Sequence, residues 1–129
     1  MIIARILIVD DDPDFCEISR TILEAAGYEV VTAADSVQAM ERIENDWPDL
    51  ILLDLEMNRM EERLQFGERL HQDPFLRHLP IVFVSPSVDP PYVEQIKPED
   101  VHYAAAWLPK PFSPQTLIQT VGCVLEQRK

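Results

Sequence analysis

Five residues of this chain carry side chains suited to one kind of chemistry: Asp10, Asp11, Asp54, Ser85 and Lys110. Three carboxylates brought together repel one another, and such a cluster persists only if a proton or a cation offsets its charge. Oxygen-only ligands with few carboxylates suit Mg2+, which keeps several waters and shares its shell with a phosphoryl group. A lysine ammonium and a serine hydroxyl suit oxygens that gain negative charge during phosphoryl transfer. One carboxylate must then be the acceptor. Asp54 is the best candidate, because it stands alone and an aspartate forms an acyl phosphate directly. Taken singly, these residues have plainer readings. Asp12, before Pro13, is read as a helix cap and no more, and a lone Ser85 or Lys110 would be ordinary solvated surface. Their joint placement favours the chemistry.

That placement depends on the elements between them. Ile6 to Val9 is a branched apolar run that stops at Asp10, the pattern of a strand buried on both faces. Similar runs are expected at Tyr28 to Thr32, Leu50 to Leu53, Ile81 to Val84 and Ala104 to Leu108. Helical spacing fills the intervals. Phe15, Ile18, Ile22 and Leu23 mark a helix over about residues 13 to 26, with Pro13 opening it and Gly27 stopping it. Ser36 is read as the cap of a helix that turns Val37, Met40 and Ile43 inward before Trp47-Pro48. Glu61 to His71 is read as a third helix with Leu64, Phe66 or Gly67, and Leu70 inward. Ser113-Pro114 opens a last one through Leu117, Val121, Val124 and Leu125. Four prolines between Pro86 and Pro98 discourage a long helix there, although a short one fits Pro91 to Ile96.

Short apolar strands alternating with helices imply an α/β domain with a parallel sheet covered on both faces. In such sheets ligands bind beyond the carboxyl ends of the strands. Strand one runs into Asp10 and Asp11, strand three into Asp54, strand four into Ser85, and strand five reaches Lys110 after Pro109. All would face one crevice.

The 129 residues, 47% of them hydrophobic, suffice for one core and one domain, 1–129. A net charge of -12 argues against direct nucleic-acid binding. The first apolar stretch is too short for a membrane span and ends in three aspartates, so a cytoplasmic protein with no membrane contact is expected. Cys16 and Cys123 are read as two buried reduced thiols, and His71, His78 and His102 are too scattered for catalysis.

The runs ILIVDDDPDF, DLILLDLEM, HLPIVFVS and WLPKPF resemble the receiver domain of two-component response regulators, in order and over nearly the whole chain. The resemblance implies a flavodoxin-like (CheY-like) doubly wound sheet of five parallel strands in the order 2-1-3-4-5. It implies that Asp10 and Asp11 hold Mg2+, with Asp54 and the backbone carbonyl of Glu56 completing the metal shell, and that Asp54 takes the phosphoryl group. Ser85 would hydrogen-bond a phosphoryl oxygen, Lys110 would pair with the phosphate beside a cis bond to Pro111, and Trp107 stands at the switch aromatic, with switch and core roles both open. The implied donor is a sensor histidine kinase or histidine phosphotransfer protein. The output is a downstream protein target or output domain, and a homodimer is compatible with it. The chain would be a switch rather than an enzyme.

Met57-Asn58-Arg59-Met60-Glu61-Glu62 replaces the family's Met-Pro and later Gly, and Pro86 stands where Ala or Gly usually follows the hydroxyl residue. Both departures suggest a second reading, a degenerate receiver acting as a docking or dimerisation module without phosphorylation. An aspartyl-phosphate phosphatase is weaker, for want of a cap domain and a second acid-base aspartate. Three glycines cannot supply a phosphate-cradling loop for a nucleotide-binding enzyme.

Overall fold

The computed structural model describes residues 3–55, 60–85 and 103–127. Each expected apolar run is a strand: β1 (Arg5–Val9), β2 (Glu29–Ala33), β3 (Leu50–Asp54), β4 (Ile81–Ser85) and β5 (Ala106–Pro109). They form one parallel sheet in the order β2-β1-β3-β4-β5, the order implied by the resemblance. The central strand β3 is buried along its whole length, which is why it needs a continuous LILL run rather than an alternating one.

Alternate residues feed two cores. Leu7, Val9, Ile51, Leu53, Ile81 and Phe83 pack on one side with Ala39, Ile43, Phe66 and Leu70, while Ile6, Ile8, Leu50, Leu52, Val82 and Val84 pack on the other with Leu23, Leu117, Val121 and Val124. Helices α2 (Ser36–Asp46) and α3 (Met60–Gln72) therefore cover one face, and α1 (Pro13–Ala25) and α4 (Pro114–Gln127) the other. No helix among the described residues is long and apolar enough to cross a membrane.

The helix starts follow local chemistry. Asp12 caps α1, its carboxylate accepting from Asp14 N at 3.0 Å, with Pro13 in the first turn. At the other end Gly27 takes φ 98, and Tyr28 N closes back on Leu23 O at 3.1 Å.

Four expectations need correction. The cap of α2 is Asp35, not Ser36: Asp35 Oδ1 accepts from Gln38 N at 2.8 Å, and Gln38 Oε1 accepts from Ala34 N at 3.0 Å. Counted from that cap, Ala39 and Ile43 face the sheet and Val37 is 68% exposed. Ile18 likewise points outward, at 61% exposure, because Ser19 and Leu23 form the inner stripe of α1. Cys16 is only half-buried and Cys123 is exposed on α4, so the thiols are not both core residues. Pro91 to Ile96 lies outside the described residues.

Candidate functional site

The strand order reverses between β1 and β3, so the connections leaving these neighbours part to opposite faces and open a crevice at their carboxyl ends. Asp10 directly follows β1 and Asp54 ends β3. They are 2% and 3% exposed, among the few polar residues buried in the described chain. Asp10 is anchored from three directions: its N donates to Ala33 O at 3.0 Å, its Oδ1 accepts from Asp12 N at 2.9 Å, and its carbonyl accepts from Cys16 Sγ at 3.3 Å. Asp10 Oδ2 and Asp54 Oδ1 are buried without a hydrogen-bond partner among the described residues.

Burial pushes the Asp10 carboxyl up to about 7, and neighbouring Asp54 pushes the same way. The Asp12 N–H and the Lys110 charge oppose the rise. The Cys16 thiol is pushed up to about 11 by burial and by the aspartates around it, so it stays protonated and is no nucleophile at neutral pH.

Lys110 arrives from β5. Its Nζ lies 3.2 Å from Asp54 Oδ2 and 4.2 Å from the centroid of the Phe15 ring. Its N donates to Ser85 O at 3.1 Å, continuing the β4–β5 ladder past the register pair Ser85↔Pro109. The Lys110–Pro111 bond is cis, as the resemblance implied. Ser85 is half-buried at the end of β4. Trp107 stacks on Phe83 with ring centroids 5.1 Å apart and packs against the α2/α3-side core.

The structure thus brings together Asp10, Asp54 and Lys110, with Ser85 bordering Lys110 through the backbone. Asp11, the next residue after Asp10, is half-buried, and no group of three or more His, Cys, Asp or Glu side chains suited to a metal is found among the described residues. Glu56, Pro86 and His102 lie outside the described residues. Two residues were missed. Phe15, assigned to the helix core, touches the lysine of the site. Arg63, unremarked, is 1% exposed on α3 with Nη2 donating to Ala34 O at 3.2 Å. Its signal was its spacing, since 63, 66 and 70 form the inward stripe of the helix.

The model of the response regulator receiver domain family matches residues 6–122. The phosphate regulon transcriptional regulatory protein PhoB of Escherichia coli (strain K12) is 30% identical over 124 residues, which are 95% of this chain and 52% of PhoB. The chain therefore spans about half the length of that relative. The polar-differentiation response regulator DivK of Brucella ovis is 28% identical over 93% of this chain and 94% of its own length. Among solved structures, the chemotaxis response regulator CheY4 of Vibrio cholerae superposes with a TM-score of 0.78 at 31% identity, over 95% of this chain and 99% of that one. A CheY-like receiver domain protein from Methanospirillum hungatei gives 0.81 at 27% identity, over 98% and 97%.

Proposed function

The chain belongs to the response regulator receiver family, and from that premise we propose that it is a phosphorylatable switch whose acceptor is Asp54. The observation that carries this reading is the Asp54–Lys110 pair, 3.2 Å apart at the switch point of the sheet, with Asp54 Oδ1 buried and unpartnered beside Asp10. A purely structural ion pair has no need of a second carboxylate pressed against it.

In the proposed reaction a carboxylate oxygen of Asp54 attacks the phosphorus of a phosphohistidine in line. The new O–P bond forms as the P–N bond breaks, the electron pair leaves with the imidazole nitrogen, and the donor histidine ends neutral or takes a proton from solvent. Lys110 follows the negative charge onto a phosphoryl oxygen, and Ser85, one residue past the β4 register partner of Asp54, donates to another.

The residues fit a divalent cation. Buried carboxylate oxygens of Asp10 and Asp54 lack partners among the described residues, and burial, with Asp54 beside it, raises the Asp10 carboxyl to about 7. One or two carboxylates suffice for Mg2+ when a phosphoryl group and waters complete the shell. Asp10 and Asp54, with Asp11 and the Glu56 carbonyl, would hold it. When bound, Mg2+ supplies charge neutralisation between acceptor and phosphoryl oxygens.

The proposed donor is a sensor histidine kinase or a histidine phosphotransfer protein, and the proposed readers are a protein target or an output domain. The test is intact-mass measurement after incubation with Mg2+ and acetyl phosphate. Gain of one phosphoryl group, absent in Asp54→Asn and without Mg2+, is expected. A wild-type chain whose mass does not change leaves a docking module without phosphorylation as the better account.

A further inference from the structure

We propose that Phe15 is a positioning residue for Lys110, its ring face holding the ammonium over Asp54 where a transferred phosphoryl group gains negative charge. The inference rests on the acceptor reading of Asp54. The Lys110 side chain is 26% exposed and ends a flexible four-carbon stem. Water competes for such an ammonium, and holding it inward costs rotamer freedom.

The structure braces it from two sides. Asp54 Oδ2 stands at 3.2 Å, and the Phe15 ring lies beneath at 4.2 Å from its centroid. Phe112, two residues beyond Lys110, meets the Phe15 ring edge-on, centroids 5.9 Å apart and planes at 86°. That contact ties the loop carrying the lysine to α1, so three separate elements, β3, β5 and α1, converge on one ammonium.

A ring face is suited to this task where an acid is not. It attracts the cation through its quadrupole but carries no net charge. An acid there would bind the ammonium and withhold it from the phosphoryl oxygens. A ring steadies it and lets it move by the short distance from Asp54 to the new oxygen. Phe15 itself takes no part in the bonds made or broken.

Three variants of the full chain test this with acetyl phosphate as donor and NMR of the lysine side chains. Phe15→Leu keeps apolar volume but lacks the ring. Its maximal phosphorylation rate should fall about three- to tenfold, with the donor concentration at half-saturation unchanged. Phe15→Tyr should restore the rate. Pentafluorophenylalanine at position 15 keeps the ring volume with the face charge reversed, and it should be slow, which covers the case that Phe15→Leu folds poorly. Lys110 ε-methylene protons should resonate upfield in wild type and Phe15→Tyr and lose that shift in Phe15→Leu. A phosphorylated wild type matched in rate by Phe15→Leu and the fluorinated chain overturns the positioning role alone, as does a slowed Phe15→Leu that keeps the upfield signal. A wild type that takes no phosphoryl group overturns the acceptor reading and this role with it.

Discussion

Two cationic side chains reach into the carboxyl-end rim of the sheet, and they are treated oppositely. Lys110 is partly exposed and meets a carboxylate at 3.2 Å and a ring face at 4.2 Å. Arg63 is 1% exposed and meets one carbonyl, that of Ala34, while its Nε and Nη1 have no hydrogen-bond partner among the described residues. Burying a charge without full pairing is costly. Lys110 is placed where it can leave one oxygen for another. Arg63 only ties α3 to the turn after β2, at a position where its helix otherwise turns Phe66 and Leu70 inward. A well-partnered cation in a crevice points to chemistry, and a poorly partnered one in a core points to a stability deficit.

The largest expected effect breaks the first half of that contrast. Lys110→Ala should slow phosphoryl uptake from acetyl phosphate about a hundredfold, the usual loss when one stabilising group is removed from a transition state. Its urea midpoint should fall as well, because the Asp54 side chain is 3% exposed and loses its cation partner. A variant with normal uptake would make the Lys110 contact structural after all.

The acids beside Lys110 give the next effect. The Asp10 carboxyl is raised from 3.8 to about 7 on folding, so between roughly pH 4 and 7 the folded chain holds a proton that the unfolded chain has lost. Stability from this group is complete below pH 4 and is lost as pH rises through 7. Without divalent cations, wild type should lose on the order of 2 kcal/mol between pH 5 and 8 relative to Asp10→Asn, measured by urea unfolding at each pH. Mg2+ should return stability to wild type at pH 8 more than at pH 5, because it needs the ionised form. Parallel pH profiles for wild type and Asp10→Asn would show that the proton is not held.

Arg63→Met tests the other half. It keeps an unbranched, shorter apolar stem and removes the orphaned donors, so the unfolding midpoint should rise, by about 1–2 kcal/mol. A fall of similar size would mean that the Ala34 contact and the buried guanidinium stabilise the β2–α2 turn more than their desolvation costs.

The contrast between the two cations also marks what the sequence could reveal. The strands were legible because a parallel strand buried on both faces must be continuously apolar, and ILIV, LILL and IVFV are. The crevice followed from which residues end them. Asp35 was missed as the α2 cap because Ser36 is also a good cap, yet Gln38 stands three residues after Asp35, the spacing of a capping box, while Ala39 after Ser36 can return no bond. Phe15 was not legible as a partner of Lys110, since 95 residues separate them and only the docking of α1 against the β5–α4 loop joins them. Arg63 stood in a helical core stripe in plain view, and a charged residue in that stripe was itself the signal.

The smallest effect concerns the tight end of the same helix. Three residues toward the far end of α3 from Leu64, Gly67 faces Tyr103 and Phe83. A Cβ there would meet Tyr103 Oη at 3.0 Å and Phe83 Cζ at 3.1 Å. Tyr103 also donates to Leu64 O at 3.3 Å and stacks on His71, so its ring has little room to retreat. Alanine in a helix interior is favoured over glycine by about 1 kcal/mol, while overpacking a fixed contact costs about 1–3. The two nearly offset, and Gly67→Ala should come out about 1 kcal/mol less stable by urea unfolding. The sign should reverse in a Tyr103→Leu background, where the hydroxyl is gone and only the helix preference remains. If Gly67→Ala stabilises the wild-type chain, the aromatic stack yields more readily than its contacts suggest, and α3 is loosely packed at both ends rather than only at Arg63.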